Sequence, residues 1–380
     1  MKTLLLNNCK IFDQKGLVNL FIREGKIEEI SPSLQNNSAD KIIDIAGKTL
    51  VPGFIDLHIH GAGGGEAFSG KISELKKMTA MLTSKGVTGI VPTTIVSSEN
   101  NYQQLRKLNS VLEELKDQSG ILGLHLEGPF INPVKKGGIP LNAICNYDRR
   151  ELLKIIQILG DNLKMMTIAP EISPDMEIID ILLDHNIVPA LGHTDISYSD
   201  AHLAFDRGMR HVTHVFNAMP PLHHRNPGPL LAIFERKDVS VQIISDGTHL
   251  NPAIVRYLYD TLGVDNCVCV SDGQSVIGLP DGKYEINGGI YQKTGEKATD
   301  LDGNLIGSAL DVGTIGRYFK KFTQCRPIEA FQTISLNPAK VLNIDNDFGS
   351  ITKGKNADLV VINEDMTPNR VILRGKIIQS

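Results

Sequence analysis

The 380-residue sequence predicts an α/β fold: a (β/α)8 TIM-like barrel with a small β-sandwich domain formed by the N- and C-terminal segments. Three observations carry that expectation. The middle of the chain alternates short apolar runs with segments whose apolar residues recur every three or four positions, the signature of repeated βα units. Both ends carry short β-rich texture with no helical period. Almost every apolar run of the middle part ends in a histidine or a carboxylate, as the strands of a barrel do where chemistry is sited.

Taken in order, residues 3–12, 18–22, 26–30 and 41–45 read as strands, with a turn at Glu24-Gly25. The barrel strands are expected in the run into His58 and in 89–94, 121–127, 165–170, 187–193, 211–214, 239–246 and 267–272. Helices are expected over 71–84, 101–115, 149–159, 175–185, 198–207 and 253–262. Residues 357–363, 370–374 and 376–379, around a Gly375 turn, return to β texture and pair with the N-terminal strands. The expected division is 1–52 plus 346–380 for the sandwich and 53–345 for the barrel, with two unrelated terminal hairpins as the alternative. A doubly wound open sheet is the other arrangement of βα units, but its GxGxxG fingerprint is missing, and GAGGG at 61–65 reads only as a flexible loop.

Composition narrows the class. Hydrophobic residues make up 41% of the chain, enough for a large core, and the net charge of −4 is spread without blocks that would track a phosphate backbone or an anionic membrane. Nucleic-acid and membrane partners are therefore not expected. Five cysteines, Cys9, Cys145, Cys267, Cys269 and Cys325, contain no CxxC pair, so neither a disulfide framework nor a thiolate zinc site is expected. With no signal-like or membrane-length apolar segment, the cytoplasm is the expected location.

The strand ends carry the chemistry. His58 and His60 stand at i and i+2, so on a strand they point the same way and can reach one ion. Glu127, His193, His214, Asp246, His249 and Asp272 follow at later strand ends. Imidazole and carboxylate together suit a catalytic zinc or iron with positions left open for water, and a nearby carboxylate, Asp272 by position, can move the water's proton. His125 and His211 read as structural, and His185 and His202 as surface residues. For His223-His224-Arg225 a solvated basic loop and an anion site both stand.

The stretches PGFIDLHIHG, HLEGPF, LGHT, THVFNAMPPLHHR, SDGTH, the SDG and GLPDG pair and the closing GSITKGKNADLVV, in this order along nearly the whole chain, resemble the N-acetylglucosamine-6-phosphate deacetylases of the amidohydrolase superfamily. The resemblance implies Glu127, His193 and His214 as ligands of the main divalent metal, most simply Zn2+ with Fe2+ as the alternative, and Asp272 as the general base. It implies that Asn217, the backbone of Ala218, His249 and the Gly138-Ile139 turn meet an amino-sugar phosphate, and that Arg225 reaches into the neighbouring subunit's site of a homodimer. His58 and His60 would hold a second ion in members that keep the HxH, giving one or two ions per subunit.

One position departs from the family pattern. Where the family has a polar residue, usually histidine, facing the N-acetyl group, this chain has Ile139 in KKGGIP, and isoleucine has no hydrogen to donate. Gln274 is a second, weaker departure. These leave three readings: a deacetylase of N-acetylglucosamine 6-phosphate, the same chemistry on N-acetylgalactosamine 6-phosphate or another N-acyl sugar phosphate, and a scaffold that has lost catalysis. The intact set Glu127, His193, His214 and Asp272 speaks against the third.

Overall fold

The computed structural model describes residues 2–12, 14–34, 39–96, 99–116, 120–286 and 289–378. Eight consecutive parallel strands form the barrel: β1 (Phe54–Ile59), β2 (Val87–Thr94), β3 (Leu124–Glu127), β4 (Leu163–Ile168), β5 (Val188–Leu191), β6 (His211–Val212), β7 (Ser240–Ile243) and β8 (Cys267–Cys269). Each hydrogen-bonds to the next, and the ring closes where Gly273, just past β8, bridges Ile59 of β1 in parallel. Parallel strands are buried on both faces and so read as continuous apolar runs. All eight residues of β2 are buried.

The connecting helices sit close to their expected positions. Arg149–Leu159 shows why: Asp148 accepts from the backbone N–H groups of Arg150 and Glu151 at its start, and Leu152, Ile155, Ile156 and Leu159 make one buried stripe. Several elements went unread in the sequence, among them the helices Gly228–Glu235, Val312–Thr323, Pro327–Thr333 and Leu336–Val341, and an antiparallel sheet of four strands running from Gly282 to Ser308 between β8 and the next helix. The GAGGG segment is not a plain loop either, because Gly61–Ala62 and Gly65–Glu66 pair as a short hairpin.

The terminal strands join in one sheet. Thr3–Ile11 uses one edge for two parallel partners, Lys41–Asp44 beside Leu4 to Asn7 and Thr49–Pro52 beside Lys10 and Ile11. That division splits the sheet into halves around Leu4, Leu6, Leu20, Ile22, Leu359 and Val361. Leu359–Ile362 pairs antiparallel with Thr49–Pro52, which returns the end of the chain to its beginning. Gln379, read as the end of the last strand, lies outside the described residues. The apolar run that ends at His58 proves to be two strands, and the chain passes from the terminal sheet to the barrel at Gly53, where a Cβ would lie 1.9 Å from Thr88 Oγ1.

The junction also buries a carboxylate. The carbonyl of Asp358 accepts from Gly53 N–H at 2.8 Å and its Oδ1 from Arg374 N–H at 2.5 Å. Burial raises its pKa from 3.8 to about 6, against the pull of the Arg374 hydrogen bond and charge. A raised carboxyl pKa means that the folded state holds its proton more tightly. The contribution is therefore most favourable below the unfolded value and is lost as pH rises through the folded one. At neutral pH the ionised group costs on the order of 3 kcal/mol. Asp358→Asn, which keeps the acceptor for Arg374, is expected to raise the melting temperature at pH 7.5, with the gain fading toward pH 4. A gain of equal size at both pH values would show that ionisation is not the cause.

Candidate active site

The strand ends converge as a barrel requires. His58 is the last residue but one of the buried strand β1, His60 follows the strand, Glu127 ends β3, and His193, His214, Asp246 and Asp272 lie just beyond β5, β6, β7 and β8. Their ligand-type atoms fall into two groups, Glu127 with His193 and His214, and His58 with His60 and Asp272, each spanning no more than 4.8 Å. Glu127 faces both. Its Oε1 is 3.0 Å from His193 Nε2 and 3.1 Å from His214 Nε2, while its Oε2 is 3.5 Å from His60 Nε2. Asp272 Oδ1 lies 3.3 Å from His60 Nε2 and 3.6 Å from His58 Nε2.

Five residues around this cluster take left-handed backbone angles: His193 (φ 49°), His214 (φ 23°), Phe216 (φ 74°), Ala218 (φ 52°) and Asp272 (φ 46°). Neighbouring groups hold them there. His193 Nδ1 donates to the carbonyl of Lys135 at 2.8 Å, and its own carbonyl accepts from Asn132 N–H at 2.9 Å. Glu171 clamps the same loop, taking hydrogen bonds from Asn132 Nδ2 and from Thr194 Oγ1. Asn217 Nδ2 donates to the carbonyls of His214 and Val215, so of its side-chain amide only the oxygen is free of its own turn.

The donor set fits a divalent ion. Because a carbonyl only accepts, the proton of neutral His193 is on Nδ1, and its Nε2 lone pair points at a carboxylate oxygen 3.0 Å away. His214 Nε2 stands 3.0 Å from His193 Nε2 and next to the same oxygen, and the buried Nε2 of His58 has no hydrogen-bond partner. A cation placed among electron-rich atoms this close would satisfy them together, and imidazole with carboxylate oxygen is a zinc or iron donor set.

Burial alone would raise the pKa of Glu127, but the charge of His58 beside it holds it well below the carboxylate range. Asp272 follows the same logic: burial pushes up, His58 and His60 push further down. For His58 burial opposes the charged form, yet Glu127 and Asp272 prevail and bring its pKa to about 9.

His125 is no ligand, since Nδ1 is bonded to Thr93 Oγ1 at 3.0 Å and Nε2 to Thr167 Oγ1 at 2.8 Å. His211 is equally structural, between Ser240 Oγ and Gln242 Nε2. His185 is exposed, and His202 is half-buried against Glu235.

A cavity of about 550 Å³ opens over the cluster, lined by His60, Glu127, His193, His214, Asn217, Ala218, His249, Asp272 and the Gly138-Ile139 turn. One wall is apolar: buried Ile139 packs with Ile131, Ala143, Ile95 and Ile144. Gln274 binds the carbonyl of Ile306 through Nε2, and both line the cavity. Tyr291 and Leu305–Gly307 bring the unforeseen antiparallel sheet to the rim. Arg225 is not among the lining residues. It stands on an exposed loop with Nη1 3.0 Å from His224 Nε2.

Sequence reasoning placed Asp246 at a strand end without a task. It orients His249: Oδ1 accepts from the N–H groups of Thr248 and His249 at 2.8 Å, and Oδ2 faces His249 Nδ1 at 2.7 Å. His249 Nε2 is left 3.9 Å from Asp272 Oδ2. Asp246→Asn keeps the backbone acceptor but turns a donor toward Nδ1, so the His249 proton is expected to move to Nε2. The 15N shifts of the ring read this directly. Unchanged shifts would show that the carboxylate does not set the tautomer.

Comparison with known proteins agrees with this geometry. Residues 49–378 match the model of the amidohydrolase family. The chain is 32% identical to an N-acetylglucosamine-6-phosphate deacetylase of Bacillus subtilis over 99% of its own length and 97% of the relative's. It is 29% identical to an N-acetylgalactosamine-6-phosphate deacetylase of Escherichia coli O157:H7, over 86% and 87%. A variant N-acetyl-D-glucosamine-6-phosphate deacetylase from Mycobacterium smegmatis, solved in complex with N-acetyl-D-glucosamine-6-phosphate, superposes with a TM-score of 0.89 at 26% identity, covering 100% and 99% of the two chains. On the family match, the relatives and the convergent strand ends, the chain belongs to the amidohydrolase family.

Proposed function

We propose that this chain hydrolyses the acetamide of N-acetylglucosamine 6-phosphate to glucosamine 6-phosphate and acetate. The carrying observation is the set Glu127, His193, His214 and Asp272 at the floor of a cavity large enough for a sugar phosphate, in a chain whose relatives act on that class of substrate. In this reading Glu127, His193 and His214 hold the main divalent ion, and His58, His60 and Asp272 frame a second position that Glu127 also faces. Zinc is the ion proposed, with iron as the alternative for the same donors. Such an ion, when bound, polarises a carbonyl and lowers the pKa of water to about 7.

Asp272, kept ionised at neutral pH, is the proposed base. It takes a proton from the attacking water as oxygen joins the acetyl carbon, then passes that proton to the amine nitrogen as the C–N bond breaks. His249, Asn217 through its amide oxygen, and the backbone of Ala218 position the sugar in the cavity. The exposed Arg225 is proposed to reach the phosphate in a neighbouring subunit's cavity, its planar fork suiting phosphate oxygens. Residues 53–345 form the proposed catalytic unit, beside a terminal unit of 1–52 plus 346–380. The free cysteines support a cytoplasmic location.

Ile139 favours a second reading. It brings an apolar wall where the family pattern has a donor, so polarisation of the acetyl carbonyl would fall to the ion alone, and one relative carries the galacto name. Comparing kcat/KM for the gluco and galacto epimers decides between them. A clear gluco preference is expected, and a galacto preference would replace the substrate assigned here. Glu127→Gln is expected to lower kcat by at least about 10³-fold and to strip the main ion, as read by elemental analysis of the dialysed protein. A variant that keeps both metal and turnover would overturn the ligand assignment.

A further inference from the structure

Beneath His58 the barrel carries a hydrogen-bond chain for which the reaction outlined above has no use. Gln242, on β7, has no exposed surface, and neither has His58. Its Oε1 is 3.0 Å from His58 Nδ1 and 3.3 Å from the backbone nitrogen of His214. Its Nε2 is 3.1 Å from His211 Nε2, His211 Nδ1 is 2.8 Å from Ser240 Oγ, and that hydroxyl reaches the carbonyl of Arg210 at 3.1 Å.

Backbone groups fix the direction of every link. The N–H of His214 can only donate, so the amide atom facing it is oxygen. His58 must then carry a proton on Nδ1, so in the neutral ring, the form that can hold a metal ion, the lone pair is on Nε2, facing Glu127 and Asp272. At the other end the Arg210 carbonyl can only accept, so Ser240 donates to it and takes the Nδ1 proton of His211. His211 Nε2 is thereby free to receive the amide N–H. The same oxygen of Gln242 holds the ring of His58 and the backbone of His214, one residue from each ligand group.

We propose that Gln242, oriented by His211, is a positioning residue that sets the tautomer and aim of His58 and so determines whether the His58–His60–Asp272 position is filled. The proposal rests on the reading of these residues as metal ligands. Residues behind a metal-bound histidine commonly change metal affinity by about 10- to 100-fold. The alternative is that Gln242 only fills the barrel core.

The test uses zinc as the probe, titrated into the full-length metal-free protein against a competing chelator. Two ions per chain are expected, with the weaker losing about 10- to 100-fold in affinity in Gln242→Met and the tighter changing by less than about threefold. Gln242→Glu keeps an acceptor for His58 and is expected to restore the weaker ion. Equal affinities in the unaltered protein and Gln242→Met, or only one zinc per chain at saturation, would overturn the proposal. Should Gln242→Met fail to fold, the 15N ring shifts of His58 in the zinc-loaded unaltered protein decide: a proton on Nδ1 supports the proposal and a proton on Nε2 sinks it. Turnover of N-acetylglucosamine 6-phosphate by that unaltered protein is scored separately, so absence of deacetylase activity counts against the proposed function while the zinc titration still judges Gln242.

Discussion

The seam where the barrel closes is the contact on which the site depends. Asp272 N–H donates to the carbonyl of His58 at 2.9 Å, and the N–H groups of His60 and Gly61 both donate to the carbonyl of Gly273, at 2.8 and 3.0 Å. In an open sheet of eight strands the first and last would lie roughly 30 Å apart at about 4.8 Å per strand. Closure instead sets the Asp272 carboxylate 3.3 Å from His60. The approach leaves no room for a side chain at the crossing, since a Cβ on Gly273 would come within 2.3 Å of Ile277 Cδ1 and 2.8 Å of Ser271 Oγ. The glycine following Asp272 is thus a requirement of the fold before it is one of the chemistry.

Closure gathers the strand ends, but a regular strand would not aim its last side chains over the barrel mouth. The left-handed angles at His193, His214 and Asp272 provide that turn, at a cost on the order of 1–3 kcal/mol each. Such strain persists only where neighbours over-determine the conformation. Lys135 and Asn132 do so for His193, Asn217 for His214, and Ser308, whose N–H donates to the carbonyl of Asp272 at 2.9 Å, for Asp272. Loops between 129 and 140 and around 308 therefore shape the floor of the cavity as well as its walls.

Much of this was legible in the sequence, for identifiable reasons. Parallel barrel strands are buried on both faces and helices on one, so runs such as 87–94 and stripes such as Leu152, Ile155, Ile156 and Leu159 announce themselves by composition and period. His58, Glu127, His193, His214 and Asp272 were visible because an ionisable group at the end of an apolar run is unusual. The antiparallel sheet between Gly282 and Ser308 was not, as its strands are mostly half-exposed and mix charged with apolar residues. Helix Gly228–Glu235 was hidden by the opposite cause: it is apolar almost all round, which erases the period. The partners of these side chains were invisible too, since the Lys135 carbonyl has no sequence signature. Gln242 did leave a trace, an amide inside the apolar run 239–244, where an unpartnered polar group would be costly.

Charge balance explains why the barrel interior is polar directly below the site. Glu127 is buried, Asp272 is partly so, and both are held ionised, and such a pair is tolerable only beside positive charge. Without an ion that charge is the proton on His58, whose pKa stands near 9. With a divalent ion among these ligands the same carboxylates are satisfied and the proton is dispensable. The histidines one layer deeper must not compete for this role. Burial lowers His211 to about 3 and holds His125 well below its ordinary value, and each uses both ring nitrogens in neutral hydrogen bonds. Positive charge is thereby confined to the mouth of the barrel, beside the carboxylates. An apolar layer at the same depth would pack as well but could not hold His58 by its Nδ1 proton, and the lone pair facing the carboxylates would lose its aim.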